Sequence, residues 1–149
     1  MFSEEDKQMK FSRILVGVDD SQDALLAFKY AVDQAKQDQA ELIIVSILEN
    51  EEMNVYEALS KDYVHGERAE LEQHVSSYQR QAREAGVEMV RTIVSEGEPG
   101  EVIVKDIIPH VEPDLLVVGS EAKKGLAQHF GSQAAYMAKY APISVLVIR

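Results

Sequence analysis

The sequence predicts an α/β fold of Rossmann-like type, an open parallel sheet of five strands with helices on both faces. Short apolar runs alternate with longer amphipathic runs in the order β-α-β-α-β-α-β-α-β. Strict alternation of this kind is typical of parallel strands joined by helices. The 149 residues contain no low-complexity tract and no linker. We therefore expect a flexible leader over residues 1–12 and a single domain over residues 13–149.

The first three elements follow from apolar patterning. Arg13–Val18 is short, almost wholly apolar and followed by acidic residues, as expected of a strand buried on both faces. The next run places its apolar residues on one face of a helix, and Asp20 or Ser21 can cap its start. That apolar face consists of Ala24, Ala27, Phe28, Ala31, Val32 and Ala35. Leu42–Leu48 predicts the second buried strand.

The middle of the chain predicts a long helix, a strand and a shorter helix. The long helix ends before Gly86, a residue suited to closing a helix. Val87–Val94 alternates in part and predicts the third strand. Pro99 suits the first turn of the following helix, which we expect to end at about Ile108.

The last part of the chain predicts two strands separated by a loop and a helix. Leu115–Val118 predicts the fourth strand, and a loop follows from Ser120 to Phe130. We expect the final helix to open at Gly131 and to end at about Tyr140. Ile143–Ile148 is apolar and predicts the fifth strand.

Composition excludes several classes of protein. A net charge of −11 argues against nucleic-acid binding and against an anionic membrane surface, which both require a basic face. The absence of cysteine excludes disulfides, thiolate metal sites and cysteine nucleophiles. The N-terminus is acidic, and the longest apolar run is far shorter than the roughly 20 residues of a membrane span. We expect a cytoplasmic protein.

A binding site is expected where the carboxyl ends of neighbouring strands diverge. For five strands the orders 3-2-1-4-5 and 2-1-3-4-5 are both open, and in each the turn beginning at Asp19 lines the crevice. In the first order its neighbour is the glycine-rich loop after Gly119. Gly131 and Ser132 could offer backbone N–H groups and a hydroxyl to phosphate. The alternative is an ordinary loop whose glycines only form turns.

Two ends of the chain together resemble a known family. The first strand and turn read Arg13–Ser21, and the last segment runs from Val117 through Gly131-Ser132 to Ile148. With the turn Gly97-Glu98-Pro99, these motifs resemble the universal stress protein family over about residues 11–149. The resemblance implies sheet order 3-2-1-4-5 and a homodimer formed through the last strand, Ile143–Ile148. An apolar edge strand also favours such pairing.

Many members of that family bind ATP, and the resemblance implies ATP as the ligand, with or without Mg²⁺. In binding members the loop reads Gly, two residues, Gly, nine residues, Gly, Ser/Thr. Gly119 matches the first glycine, and Gly131 and Ser132 match the closing pair. Ala122 stands at the second glycine, and eight residues rather than nine separate it from Gly131.

The resemblance also implies roles for single residues. Asp19 would reach the ribose or a metal-bound phosphate, and Ile47 would pack on adenine and offer backbone polar groups to its edge. The remaining implied contacts lie at the strand ends (Gly17, Val18, Val118 and Gly119) and at the phosphates (Ala122, Gly131, Ser132, Gln133 and Ala134).

Two alternatives to a nucleotide-binding regulatory protein remain. One is a dimeric scaffold of the same fold that binds unidentified proteins and no nucleotide. The other is a phosphorylated receiver domain, which the paired acids Asp19 and Asp20 suggest. The end of the third strand and the two residues after it, Ile93-Val94-Ser95-Glu96, contain no aspartate of the kind that a receiver needs. No residue is an evident general base, so we expect no catalytic residue and at most slow ATP hydrolysis.

Overall fold

The structure is a computed structural model that describes residues 10–19, 21–49, 61–120 and 127–149. For residues 61–65 and 127–130 it describes the backbone alone.

All strands lie in one parallel sheet of order β3-β2-β1-β4-β5, which confirms the predicted fold class and the order implied by the resemblance. The strands are β1 (Arg13–Gly17), β2 (Glu41–Leu48), β3 (Val90–Glu96), β4 (Leu115–Gly119) and β5 (Ser144–Ile148). The helices are α1 (Gln22–Asp38), α2 (Lys61–Ala85), α3 (Pro99–Val102, then a π-helical turn Ile103–Ile107, then Ile108–Val111) and α4 (Ala127–Tyr140).

The sheet has one apolar core on each face. Successive residues of β1 point to opposite faces, so Ile14 and Val16 join α1 and α2 in one core while Leu15 joins α3 and α4 in the other. The predicted inner face of α1 is buried as expected, and its Phe28 ring packs against Tyr78 of α2 with centroids 4.7 Å apart. Burial on both faces explains why the central strands are apolar throughout.

The start of α1 is fixed by two side chains from the preceding turn. Ser21 is the N-cap, and its Oγ accepts from the Ala24 N–H at 3.0 Å. The Ser21 N–H in turn donates to Asp19 Oδ1 at 2.7 Å. Of the two predicted caps, Ser21 is the one observed, and Asp20 lies outside the described residues.

The third strand begins later than predicted, at Val90 instead of Val87. Gly86 adopts a φ of 113° and closes α2 as the C-terminal glycine. The Val87 N–H donates to the Ala82 carbonyl, and the Gly86 N–H to that of Arg83. This is the Schellman pattern, in which the residue after the glycine packs back on the helix. Val87 is therefore apolar because it completes the helix cap.

Helix α3 also differs from the prediction, because it passes Pro109 and ends at Val111. A proline inside an α-helix lacks the N–H and clashes with the preceding turn. Here a π-helical turn precedes it, with the Ile108 N–H bonded to the Ile103 carbonyl. Pro109 then stands in the first turn of a new α-helical segment, where proline is tolerated.

The end of the predicted leader is held by the domain. Phe11 packs against the α1–α2 core, and its N–H donates to Asp38 at 3.0 Å. The Ser12 N–H donates to Asp114 at 2.8 Å. Residues 1–9 lie outside the described residues, so a flexible leader stays a prediction there.

The outer edge of β3 is covered by side chains of α2. The β3 carbonyls that point away from β2 include those of Val90 and Val94, because the Met89 carbonyl accepts from β2 and direction alternates along a strand. Gln79 Nε2 donates to the Val90 carbonyl at 2.9 Å. Arg68 Nη2 donates to the Val94 carbonyl at 3.1 Å. Helix α2 thus occupies hydrogen-bonding positions that an added strand would need.

Candidate functional site

A gap opens at the carboxyl ends of the strands because the central strand, β1, ends before both of its neighbours, β2 and β4. β1 ends at Gly17, opposite Val45 of β2. β2 continues to Leu48 along β3, and β4 continues to Gly119 along β5. The gap between the tips of β2 and β4 is the topological switch point of the sheet, the usual ligand position in this architecture.

The backbone of Ile47 points into this gap. The last hydrogen bond between β1 and β2 runs from the Val18 N–H to the Val45 carbonyl, at 2.9 Å. Because direction alternates, the N–H and C=O of Ile47 point to the same side as those of Val45. Within the described residues no backbone hydrogen bond joins Ile47 to the β1 side. One donor and one acceptor are therefore presented together at the end of β2.

Asp19 lies at the near side of the gap, directly after β1. Its side chain is half-buried, and Oδ1 accepts from the Ser21 N–H. Within the described part of the chain Oδ2 has no hydrogen-bond partner. Asp19 therefore both shapes the turn into α1 and keeps one carboxylate oxygen for a ligand.

The floor of the gap is apolar. Val18 and Val118 are buried, and Ile47 packs its side chain against the core on the α3–α4 face. A Cβ on Gly17 would lie 3.5 Å from Val118 Cγ1 and 3.8 Å from Ile103 Cδ1, which are ordinary contacts. Packing within the described residues therefore does not by itself require glycine at position 17.

Gly119 is required by packing at the end of β4. A Cβ there would lie 2.7 Å from the backbone nitrogen of Ala24 and 2.7 Å from the carbonyl carbon of Asp23. Neither backbone atom can move aside easily, so the tip of β4 is seated directly on the first turn of α1. The glycine at this position thus has a structural reason, whatever its role toward a ligand.

The predicted start of the last helix is wrong by four residues. Helix α4 begins at Ala127, so Gly131 and Ser132 lie inside it and not at its opening. An α-helix leaves only its first four N–H groups unpaired, and Gly131 is the fifth residue. A glycine in a helix costs only about 1 kcal/mol relative to alanine, so it does not force the helix to start there. Both residues are exposed.

Gln133 and Ala134 do not present free side chains to the gap. Gln133 Oε1 accepts from the Gly100 N–H at 2.8 Å, and its Nε2 donates to Glu98 at 3.0 Å. The amide thereby caps the start of α3 from a neighbouring helix, a role that sequence reasoning missed. Ala134 is buried. Ala122 lies outside the described residues.

Sequence reasoning also missed Asp23 and gave no role to Ser120. Ser120 Oγ donates to Asp23 Oδ2 at 2.8 Å. Asp23 carried no signal beyond its place in the first turn of a helix, because its partner is 97 residues away in the sequence.

The described residues hold no group of three or more His, Cys, Asp or Glu side chains that could bind a metal ion. In the same part of the chain, no helix is long and apolar enough to cross a membrane.

An open parallel sheet with helices on both faces, and with a polar-edged gap at its switch point, defines a doubly wound α/β protein, an architecture that usually binds its ligands at that point. The sequence model of the universal stress protein family matches residues 10–149. The chain belongs to the universal stress protein family.

Individual relatives agree with this assignment. A protein of Staphylococcus haemolyticus that is named as a universal stress protein is 32% identical over 142 residues, covering 95% of this chain and 86% of that one. The universal stress protein UspA from Lactobacillus plantarum has a TM-score of 0.83 at 26% identity, covering 95% of this chain and 99% of that one.

Two further solved structures share the fold and are described with a ligand. A universal stress protein in complex with cAMP has a TM-score of 0.71 at 23% identity, covering 95% of this chain and 98% of that one. The universal stress protein from Archaeoglobus fulgidus in complex with dAMP has a TM-score of 0.67 at 21% identity, covering 95% of this chain and 100% of that one.

Proposed function

We propose that this protein is a regulatory protein that binds ATP in the gap between the tips of β2 and β4. The observation that carries the proposal is the backbone of Ile47, which presents a donor and an acceptor to the gap. Family membership supports a regulatory role.

Adenine fits this edge by its hydrogen-bonding pattern. The base carries the N6 amino donor beside a ring-nitrogen acceptor. The Ile47 C=O and N–H offer the complementary acceptor and donor on one residue. The side chain of Ile47 is half-buried beside an apolar floor, which suits the face of the ring. Guanine places a carbonyl oxygen where adenine has its amino group. That oxygen would face the Ile47 carbonyl oxygen, and two acceptors cannot form a hydrogen bond.

The relatives described above support an adenine nucleotide as the ligand class. Both ligands in their descriptions, cAMP and dAMP, carry adenine and one phosphate. ATP adds two phosphates, and the protein has a net charge of −11, so local donors or Mg²⁺ must offset the repulsion.

The exposed glycine at position 131 is an argument for placing the phosphates beside α4. A Cβ on Gly131 would meet nothing within 4 Å among the described residues, and the residue is exposed inside α4. Glycine in such a place destabilises a helix by about 0.5–1 kcal/mol relative to alanine. Close approach of a ligand would explain glycine here, with the Ser132 hydroxyl beside it. In this arrangement Gly17 and Val118 contact the sugar from below, and Asp19 Oδ2 binds a ribose hydroxyl.

Calorimetric titration of the nucleotide-stripped protein tests the proposal. We expect ATP to bind with a Kd in the micromolar range, about −8 kcal/mol, and GTP to bind at least tenfold more weakly. Asp19→Asn keeps the oxygen that accepts from Ser21 and removes the negative charge at the ribose, so it should weaken ATP binding without unfolding α1. Titrations with and without Mg²⁺ show whether the ion contributes.

Equal affinity for ATP and GTP would overturn the role given to Ile47. No heat and no thermal shift at millimolar ATP would overturn nucleotide binding itself.

We also propose that the protein forms a homodimer through the outer edge of β5. The described side chains of α2 occupy the outer edge of β3, whereas β5 is flanked in the described sheet only by β4. An uncovered apolar edge favours strand pairing with a second copy. If ATP does not bind, this dimer is the basis of the alternative function, a scaffold for other proteins in the cytoplasm.

A further inference from the structure

We infer that Asp23, in the first turn of α1, is a positioning residue of the nucleotide site. The inference rests on the proposed function, because it concerns how tightly the same site holds ATP. Asp23 itself does not contact the ligand in this account. It acts through Ser120, the last described residue before the glycine-rich segment.

The first observation is a hydrogen bond between two distant parts of the chain. Ser120 Oγ donates to Asp23 Oδ2 at 2.8 Å, and both residues are partly buried. A hydrogen bond to a charged acceptor in such a place is stronger than one between neutral groups. It fixes the direction in which the chain leaves β4.

The second observation is the close seat of β4 on α1. Gly119 leaves no room for a Cβ against the backbone of Asp23 and Ala24. The position of Ser120 relative to α1 is therefore set both by van der Waals contact and by the Asp23 carboxylate. A third restraint is the hydrogen bond from the Ser120 N–H to the Ile148 carbonyl of β5, at 2.8 Å.

The third observation is that the same helix end also holds Asp19, at the near side of the gap. Asp19 bonds to the Ser21 N–H, and Ser21 caps α1 through the Ala24 N–H. The first turn of α1 thus connects the ribose side of the proposed site to the tip of β4. The hydrogen bonds at Asp19 and at Asp23 hold the turn after β1 and the tip of β4 in place relative to each other.

Loss of the Asp23 carboxylate should therefore weaken ATP binding, although it removes a negative charge from the neighbourhood of an anion. Charge alone predicts the opposite sign, since a less acidic protein repels ATP less. This opposition of signs makes the inference testable with single substitutions.

The experiment compares five variants with the unaltered protein by calorimetric titration with ATP, four single variants and the double variant Asp23→Ala/Ser120→Ala. Asp23→Ala removes the acceptor, Ser120→Ala removes the donor, and Asp23→Asn removes the charge but keeps an acceptor oxygen. Asp33→Ala is the matched control, because Asp33 is an exposed acid on the same helix and its loss changes the net charge equally. Thermal unfolding without nucleotide is measured on each variant to separate stability from affinity.

We expect Asp23→Ala and Ser120→Ala each to raise the Kd for ATP about tenfold, as for one lost hydrogen bond to a charged group. The double variant Asp23→Ala/Ser120→Ala should be no weaker than either single one, because both remove the same contact. Asp33→Ala should stay within about twofold of the unaltered protein, and Asp23→Asn, which keeps only a neutral acceptor, should bind ATP with a Kd between those of the unaltered protein and Asp23→Ala.

Unchanged or tighter ATP binding by Asp23→Ala, while the unaltered protein binds ATP, would overturn this inference and leave the proposed function standing. A lower unfolding temperature for Asp23→Ala with an unchanged Kd would do the same, since it would show a purely structural contact. Absence of binding by the unaltered protein would overturn the proposed function and this inference with it.

Discussion

Two glycines, Gly131 in α4 and Gly66 in α2, are exposed within helices, and a Cβ on either would meet nothing within 4 Å among the described residues. Neither the backbone angle nor packing requires glycine at these two positions. They differ in their place in the fold, because only Gly131 lies in the segment assigned to the phosphates. They therefore form a matched pair for separating helix stability from ligand contact.

We predict that Gly131→Ala and Gly66→Ala each stabilise the nucleotide-free protein by about 0.5–1 kcal/mol, because alanine is the better helix former. Urea unfolding measures this gain. Only Gly131→Ala should also weaken ATP binding, since its methyl group would occupy space that the phosphates need. Equal ATP affinity for the two variants would show that Gly131 is not a ligand contact.

At the scale of secondary structure, α2 holds the outer edge of β3 at two points. Gln79 and Arg68 bond to the outward carbonyls of Val90 and Val94, and Arg68 also pairs with Glu96 at 3.3 Å. Exposed strand edges invite pairing with other chains, and proteins commonly block them with charged side chains or a covering helix. The two contacts thus agree with the proposal that the protein dimerises through β5.

The double variant Arg68→Ala/Gln79→Ala should expose the β3 edge and promote association beyond the dimer. Sedimentation velocity at several concentrations measures this. Arg80→Ala/Gln73→Ala is the control, because these exposed α2 side chains have no hydrogen-bond or ion-pair partner among the described residues. If both double variants sediment alike, Arg68 and Gln79 do not prevent association through the outer edge of β3.

Apolar patterning predicts most of the helices and strands, because most apolar residues lie where their element is buried. It fails where a residue has another role, such as closing a helix. Apolar patterning places Val87 in a strand, but in the structure this buried residue completes the cap of α2. The pattern also predicts a helix start at Gly131, whereas the helix passes through it. The donor and acceptor of Ile47 leave no trace in side-chain patterning, because their availability depends on β1 ending before β2. Asp23 and Ser120 meet only in the folded sheet.

At the scale of the whole molecule, the proposed dimer through β5 would depend on backbone groups that point outward. The Ser120 N–H donates to the Ile148 carbonyl, so the backbone N–H and C=O of Ile148 point toward β4. Because direction alternates along a strand, the N–H and C=O of Val147 point to the outer edge of β5. Proline at an outward position removes a free N–H without breaking the ladder to β4.

We therefore predict that Val147→Pro weakens the dimer at least tenfold while circular dichroism shows that the fold is kept. Val147→Ala, which retains the N–H, is the control and should remain dimeric at the same concentration. Sedimentation equilibrium gives the two dissociation constants. A dimer that is unaffected by the proline would place the interface elsewhere on the molecule.

We propose that the Ile47 backbone binds adenine in the gap beside β2. Hydrogen exchange at the Ile47 amide tests this contact directly. In the free protein the Ile47 N–H faces the gap without a backbone partner from β1, and it should exchange quickly. The Val45 N–H belongs to the paired part of β2 and serves as the internal reference. We predict that saturating ATP slows exchange at Ile47 at least tenfold, that exchange at Val45 changes little, and that GTP at the same concentration has no such effect. An Ile47 amide that exchanges equally fast with and without bound ATP would contradict it.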